Sequence, residues 1–259
     1  MHCEMPDQKE RRTDTHFVAS LEKAMRVLEA FGAERPRMGL TEIARETGLD
    51  RSSVQRVTTT FHRLGYLDKD PATRRFSPSI RMTELANAYL WSDELVHSAM
   101  SRLIELRQTL GETINFSRLD GTDIVYTMRL PSARTSYAAM LPGRRVPALN
   151  TSSGRVMLAQ RDPHERLQCV REWPMRRFTP ETVMSREKVR DLVEMAAETG
   201  YAIAENELQM NELAVAVAVG CSRGQPGAIH CSVSGTLWSR ERVEQEVVPL
   251  LRDAVNGIG

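Results

Sequence analysis

Residues 40–57 read LTEIARETGLDRSSVQRV, and this stretch decides the fold of the first part of the chain. Two helices that cross steeply need a small residue where the second approaches the first, a left-handed residue in the turn, and apolar residues to close the corner. Ala44, Gly48 and Val54 stand in that order, with Ile43, Leu49 and Val57 to fill the inside. An ordinary αα-hairpin makes the same demands at its contact. The outward side chains separate the two readings. Arg51, Ser52, Ser53, Gln55 and Arg56 crowd the first turns of the second helix, and such side chains can reach base edges or phosphates from the start of a recognition helix. Thr41, at the head of the preceding helix, joins them as a DNA-facing candidate and as a possible N-cap.

Outward from this corner the pattern completes a winged helix-turn-helix over residues 16–78. Upstream, Leu21, Ala24, Met25, Val27, Leu28 and Phe31 recur at helical spacing from a cap at Ser20 to a stop at Gly32. Residues 1–15 are polar, lack periodicity and read as a flexible tail. Downstream, Tyr66 to Asp68 and Arg75 to Ser77 read as two short strands joined by the Asp70-Pro71-Ala72-Thr73 turn. Arg74 and Arg75 fall at the tip of this wing, where they would meet phosphate, although a solvated turn explains them equally. Between Arg51 and Arg81 stand seven basic residues against two acidic ones. The whole chain has a net charge of only +1, so the basic character is local.

Residues 79–92 are expected to form a linker helix and 93–259 a second, α+β domain. A helix runs through Val96, Met100, Leu103, Leu106 and Leu110 to Gly111, after which the apolar period switches to two. Thr113 to Leu119 and Asp123 to Leu130 flank Asp120-Gly121, a strong hairpin signal. Helices from Ser153, Pro163, Arg186 and Arg240 and strands at Tyr201 to Ala204, Leu213 to Val219 and Ala228 to Ser234 complete an antiparallel sheet with packed helices.

Composition narrows the function. A hydrophobic fraction of 41% over 259 residues supports two packed cores. No long apolar run or signal peptide is evident, which favours a cytoplasmic protein with no membrane partner. Cys3, Cys169, Cys221 and Cys231 share no C-x-x-C spacing and do not cluster with histidine, so neither a metal nor a disulfide framework is expected. No cofactor-binding motif was identified.

The segments SLEKAMRVLEAF, LTEIARETGLDRSSVQRV, LGYLDKD, GRRVPALNTSSGRVMLA and GYAIAENE, in this order, resemble the IclR family of bacterial transcriptional regulators from Ser20 to the C-terminus. Within it, FGAERPRM and the GLDR turn look most similar to the branch that controls aromatic-acid catabolism. The resemblance implies a GAF-like effector domain and a homodimer or dimer of dimers on a palindromic operator. It implies effector contacts at Ser152 and Ser153, in a loop whose plain N-capping is the alternative, and at Ser232 and Ser234, hydroxyls that solvent could equally claim. Ala204 and Ala214 stand where many members carry an acidic residue and a cysteine, which points to a larger or more apolar acid. Met140 and Leu141 are candidate pocket walls or core residues, and Glu205 is a candidate effector contact. Arg144 and Arg145 could neutralise a second acidic group or lie on the surface.

These readings predict a regulator of a catabolic operon that responds to a small organic or aromatic acid. The alternative is an enzyme acting on a small acid, with the helical part serving oligomerisation. Glu205 and Glu207 supply carboxylates for it, but no nucleophile, metal cluster or histidine accompanies them in the sequence. A third reading, a non-specific or RNA-binding winged helix, is favoured by the basic wing and opposed by Gln55.

Overall fold

The computed structural model describes residues 16–133, 142–220 and 226–258. It divides into two compact units, one ending at Ser92 and one beginning at Asp93.

The first unit comprises α1 (Ala19–Glu29), α2 (Leu40–Thr47), α3 (Arg51–Arg63), strands β1 (Leu67–Lys69) and β2 (Phe76–Pro78), and α4 (Met82–Ser92). The two strands pair antiparallel, Asp68 opposite Ser77. Val27, Met38, Ile43, Val54, Leu67 and Phe76 form the buried core, with Ala44, Leu49 and Val57 packed against it. The first three helices and both strands therefore contribute to one apolar centre, to which α4 adds no buried residue, and the α2–α3 corner closes on the residues its spacing requires. Gly48 ends α2 in the left-handed conformation, φ 68°, which a residue with a Cβ adopts only at a cost of about 1–2 kcal/mol.

Two caps differ from expectation. Val18, not Ser20, precedes α1. Thr41 lies within α2 instead of capping it, because Glu42 reaches back to accept the Gly39 N–H at 2.7 Å. That carboxylate satisfies a donor at the helix start that a Thr41 cap would have left open.

The second unit carries a six-stranded antiparallel sheet. In chain order its elements are α5 (Glu94–Leu110), β3 (Thr113–Asp120), β4 (Asp123–Leu130), β5 (Arg145–Pro147), a 3₁₀ turn (Ala148–Asn150), α6 (Ser152–Leu158), α7 (Pro163–Glu172), α8 (Arg186–Thr199), β6 (Ala202–Glu205), β7 (Glu212–Val219) and β8 (Gly227–Ser234). The short α9 (Arg240–Arg242) then passes through a π-helical turn, Val243–Val247, into α10 (Val248–Asn256). The strand order is β5-β4-β3-β8-β7-β6.

Strand alternation assigns the two faces. Ile229, Cys231 and Val233 of β8 point one way, where α5 and α10 pack; His230, Ser232 and Ser234 point the other. On that second side α6 and α8 press Val156, Met157, Val189 and Val193 onto Ala202, Ala216 and Ala228, and this apolar contact forms the larger core. The small side chains on the sheet let α6 approach closely. The candidate effector-site hydroxyls of Ser152 and Ser153 sit where this helix begins.

Candidate nucleic-acid interface and effector cavity

On the first unit, α3 presents its early turns outward. Asp50 caps it, accepting the Ser53 N–H at 2.8 Å. The hydroxyls of Ser52 and Ser53 also donate to Asp50, at 2.5 and 2.6 Å, and these bonds hold the carboxyl far below the usual carboxylate range. Asp50 thus stays charged and occupies the positive end of the helix. Both serine hydroxyls are turned to this internal partner, which differs from their expected reach toward bases or phosphates. Arg51, Gln55 and Arg56 are exposed, and their side chains make no hydrogen bond or ion pair among the described residues. In the first turns of α3 the long donors unengaged among the described residues are therefore these two arginines and the glutamine. Thr41 is exposed at the start of α2.

The wing separates its two arginines. Arg74 sits at the tip, exposed and left-handed at φ 58°, after a turn organised by Asp70, which accepts the Ala72 N–H at 2.8 Å and the Thr73 hydroxyl at 2.7 Å. Arg75 instead folds back, donating to Glu42 at 2.7 Å and to the Arg37 carbonyl at 3.1 Å. The same Glu42 that caps α2 therefore ties the wing to it.

On the second unit a small cavity opens beside the start of α6. Thr151 caps the helix by accepting the Gly154 N–H at 2.9 Å, and Thr151 and Ser152 line the cavity with Ala204 and Ala214. Tyr126, Glu207, Leu208, Glu212 and His230 complete its walls. Its volume of about 10 Å³ is room for one water, so an organic guest must part the walls.

Behind the cavity runs a chain of buried polar groups. Arg129 donates to the Asn115 amide oxygen at 3.1 Å, which leaves the amide nitrogen to face His230 Nε2 at 2.8 Å. With Nε2 accepting, the proton lies on Nδ1, which meets the Ser153 hydroxyl oxygen at 3.0 Å. Burial, and then the Arg129 charge, push the His230 pKa down to about 3, so the ring is neutral. A second connection braces the helix itself. Arg155 is fully buried and bonds both oxygens of Glu207 at 2.6 and 2.7 Å, with its Nε donating to the Leu149 carbonyl at 2.9 Å. This pair joins the 3₁₀ turn, α6 and the loop after β6.

The candidate effector residues separate into three groups. Ser152, Ala204 and Ala214 meet at the cavity. Ser153 lies one bond behind it on His230, and the buried Ser232 hydroxyl, which forms no hydrogen bond of ordinary geometry, lies beside Glu212. Glu205 is exposed, turned from the cavity by strand alternation, and Ser234 bonds Asn211 and Thr236 at an exposed end. Met140 and Leu141 lie outside the described residues. Arg145 pairs with Asp120 at 2.6 Å, whereas Arg144 acts on the charge of Glu212. His230 and Glu212 were legible through period two, standing two residues before Ser232 and Ala214. Tyr126 was not, because a bulge between Phe116 and Ser117 shifts the register that brings it in.

An outward-facing helix-turn-helix and a separate ligand cavity define the class: a DNA-binding regulator with an effector domain. Residues 87–259 match the model of the bacterial transcriptional regulator IclR C-terminal domain, and residues 20–71 match the IclR helix-turn-helix domain. The chain belongs to the IclR family of transcriptional regulators. It is 28% identical to the p-hydroxybenzoate hydroxylase transcriptional activator of Acinetobacter baylyi, across 97% of this chain and 94% of that one. It is 30% identical to the HTH-type transcriptional regulator KdgR of Escherichia coli, across 93% and 91%. An IclR homologue from Microbacterium hydrocarbonoxydans, crystallised with 4-hydroxybenzoate, shares the fold with a TM-score of 0.77 at 24% identity, over 93% of this chain and 97% of that one.

Proposed function

We propose that this regulator controls a catabolic operon and that its cavity takes a small organic acid of the aromatic class. The observation that carries this reading is the cavity at the head of α6. There Thr151 and Ser152 converge with a helix start, and Arg129 stands behind them at the end of the Asn115–His230 chain. The hydroxyls of Thr151 and Ser152 on its wall, and the Arg129 charge held behind Asn115 and His230, favour an acid over a neutral guest, with Glu207 neutralised by Arg155 and Glu212 opposing any second negative charge. Ala204, Ala214 and Leu208 leave part of the wall apolar, which suits a ring better than a two-carbon acid. The name of the Acinetobacter relative agrees with this class of compound.

We assign the DNA contacts to Arg51, Gln55 and Arg56 on α3 and to Arg74 on the wing. Ser52, Ser53 and Arg75 act by shaping those elements, and Thr41 lies at the flank. A homodimer, or a pair of dimers, on a palindromic operator is supported by exposed apolar side chains on α1 (Leu21, Met25) and α4 (Leu85, Tyr89, Trp91), since such patches mark interaction surfaces. A cytoplasmic location suits this role, and among the described residues no helix is long and apolar enough to cross a membrane.

The enzymatic alternative needs Ser153 and His230 to act as nucleophile and base. Their hydrogen bond runs the wrong way: His230 donates to Ser153, and its other nitrogen is occupied by Asn115. Mobility shift of the gene's own upstream DNA tests the regulator reading. Retardation of that fragment at concentrations that leave a scrambled fragment free is expected; no retardation of any promoter fragment, with or without candidate acids, removes it.

A further inference from the structure

The wing is anchored at its base and free at its tip. At the base, Met38 and Phe76 exchange two backbone hydrogen bonds, at 2.9 and 2.8 Å, and both side chains are buried in the core. At the tip, residues 71–74 are exposed. Asp70 organises them: its carbonyl accepts the Arg74 N–H at 2.8 Å, and its carboxylate accepts from the Ala72 N–H and the Thr73 hydroxyl. These bonds stiffen the turn, yet all of them stay inside it. Among the described residues, the side-chain hydrogen bonds that leave residues 70–75 are those of Arg75 alone.

One Arg75 nitrogen lies 2.7 Å from each Glu42 oxygen and also donates to the Arg37 carbonyl at 3.1 Å. Glu42 is itself fixed by the Gly39 N–H. That bond first, with Arg75 adding to it, holds the carboxyl below its ordinary range, so both partners are charged. With side chains 42% and 39% exposed, the pair contributes little to stability, and its consequence lies in geometry. Glu42 belongs to α2, whose other end turns through Gly48 toward α3. The wing tip and the recognition helix are therefore both referred to one helix of eight residues.

We propose that Glu42 and Arg75 are positioning residues for operator binding: their pair holds the wing so that Arg74 meets a phosphate at a fixed distance from the bases faced by α3. Arg75 adjoins Arg74 in the chain, so fixing one guanidinium to α2 places the backbone that carries the other. The pair itself touches no DNA, and its whole effect passes through Arg74. This assignment rests on the reading of Arg74 as the DNA contact of the wing and deepens it.

The test is anisotropy titration of the full chain against the gene's own upstream fragment at several salt concentrations. Arg74→Gly removes the contact without strain, since glycine adopts the left-handed backbone freely. It should raise Kd several-fold and lower the slope of log Kd against log salt by about one. Glu42→Gln combined with Arg75→Gln leaves the net charge unchanged and keeps an acceptor for the Gly39 N–H. This double variant should nevertheless lose affinity and slope as Arg74→Gly does, and should add no further loss once Arg74 is glycine. Arg75→Lys, which keeps a charged donor for Glu42 without the planar fork, should lose less than Arg75→Gln. Melting temperatures confirm folding, and if Glu42→Gln unfolds the protein, the Arg75 variants with and without Arg74→Gly decide alone. Additive losses, or an unchanged salt slope in the double variant, overturn the positioning role and leave the Arg74 contact standing. Wild-type affinity and slope in Arg74→Gly remove that contact and the positioning role with it.

Discussion

At the scale of single residues, side chains of similar type have diverged in role according to what lies within bonding distance. Arg74 and Arg75 are neighbours in sequence, yet one is exposed at the wing tip and the other is bound to Glu42. Ser52 and Ser53 look like DNA contacts by type, but Asp50 holds both hydroxyls. The proposed base reading therefore concentrates on Arg51, Gln55 and Arg56. Arg56→Ala should weaken binding of the native operator by about 1–3 kcal/mol and lower its advantage over a scrambled duplex, as measured by anisotropy titration. An equal loss on both duplexes would make Arg56 a phosphate contact instead. None of these distinctions is written in residue type alone: the sequence supplies donors, and only the fold decides which of them are already used.

At the scale of elements, much was legible before any coordinates. The α2–α3 corner follows from Ala44, Gly48 and Val54, the β3–β4 hairpin from Asp120-Gly121, and α7 from Pro163, which opens it, whereas its Asp162 cap emerged only in the structure. Local signals of this kind are carried by a few neighbouring residues. The cavity is different in kind, since its walls come from β4, β6, β7, β8 and α6, and the strand order that gathers them is a long-range property. The entry into α6 shows how tight that gathering is. A Cβ at Gly154 would fall 2.1 Å from the Ala148 carbonyl oxygen, so backbone must move to admit one. Gly154→Ala should displace Thr151 and Ser152, lower the melting temperature and abolish the rise in melting temperature that an acid ligand gives the wild type. An unchanged ligand response would place the effector away from this helix start.

At the scale of the whole molecule, the account requires two units with separate cores to share one equilibrium. A ligand in the second unit can alter DNA binding by the first only through its different affinity for the states that fit and do not fit the operator. Such coupling is reciprocal, so operator DNA must change the affinity for the acid by the same factor. In the proposed dimer, the exposed apolar side chains on α1 and α4 are the surface that transmits it, and the direction of the response depends on where the operator lies. The most direct measurement is the operator dissociation constant, by anisotropy, with and without a saturating acid that raises the melting temperature. The account predicts a change of about 5- to 150-fold in either direction. Identical dissociation constants in the two conditions, with the acid verified as bound, would contradict it.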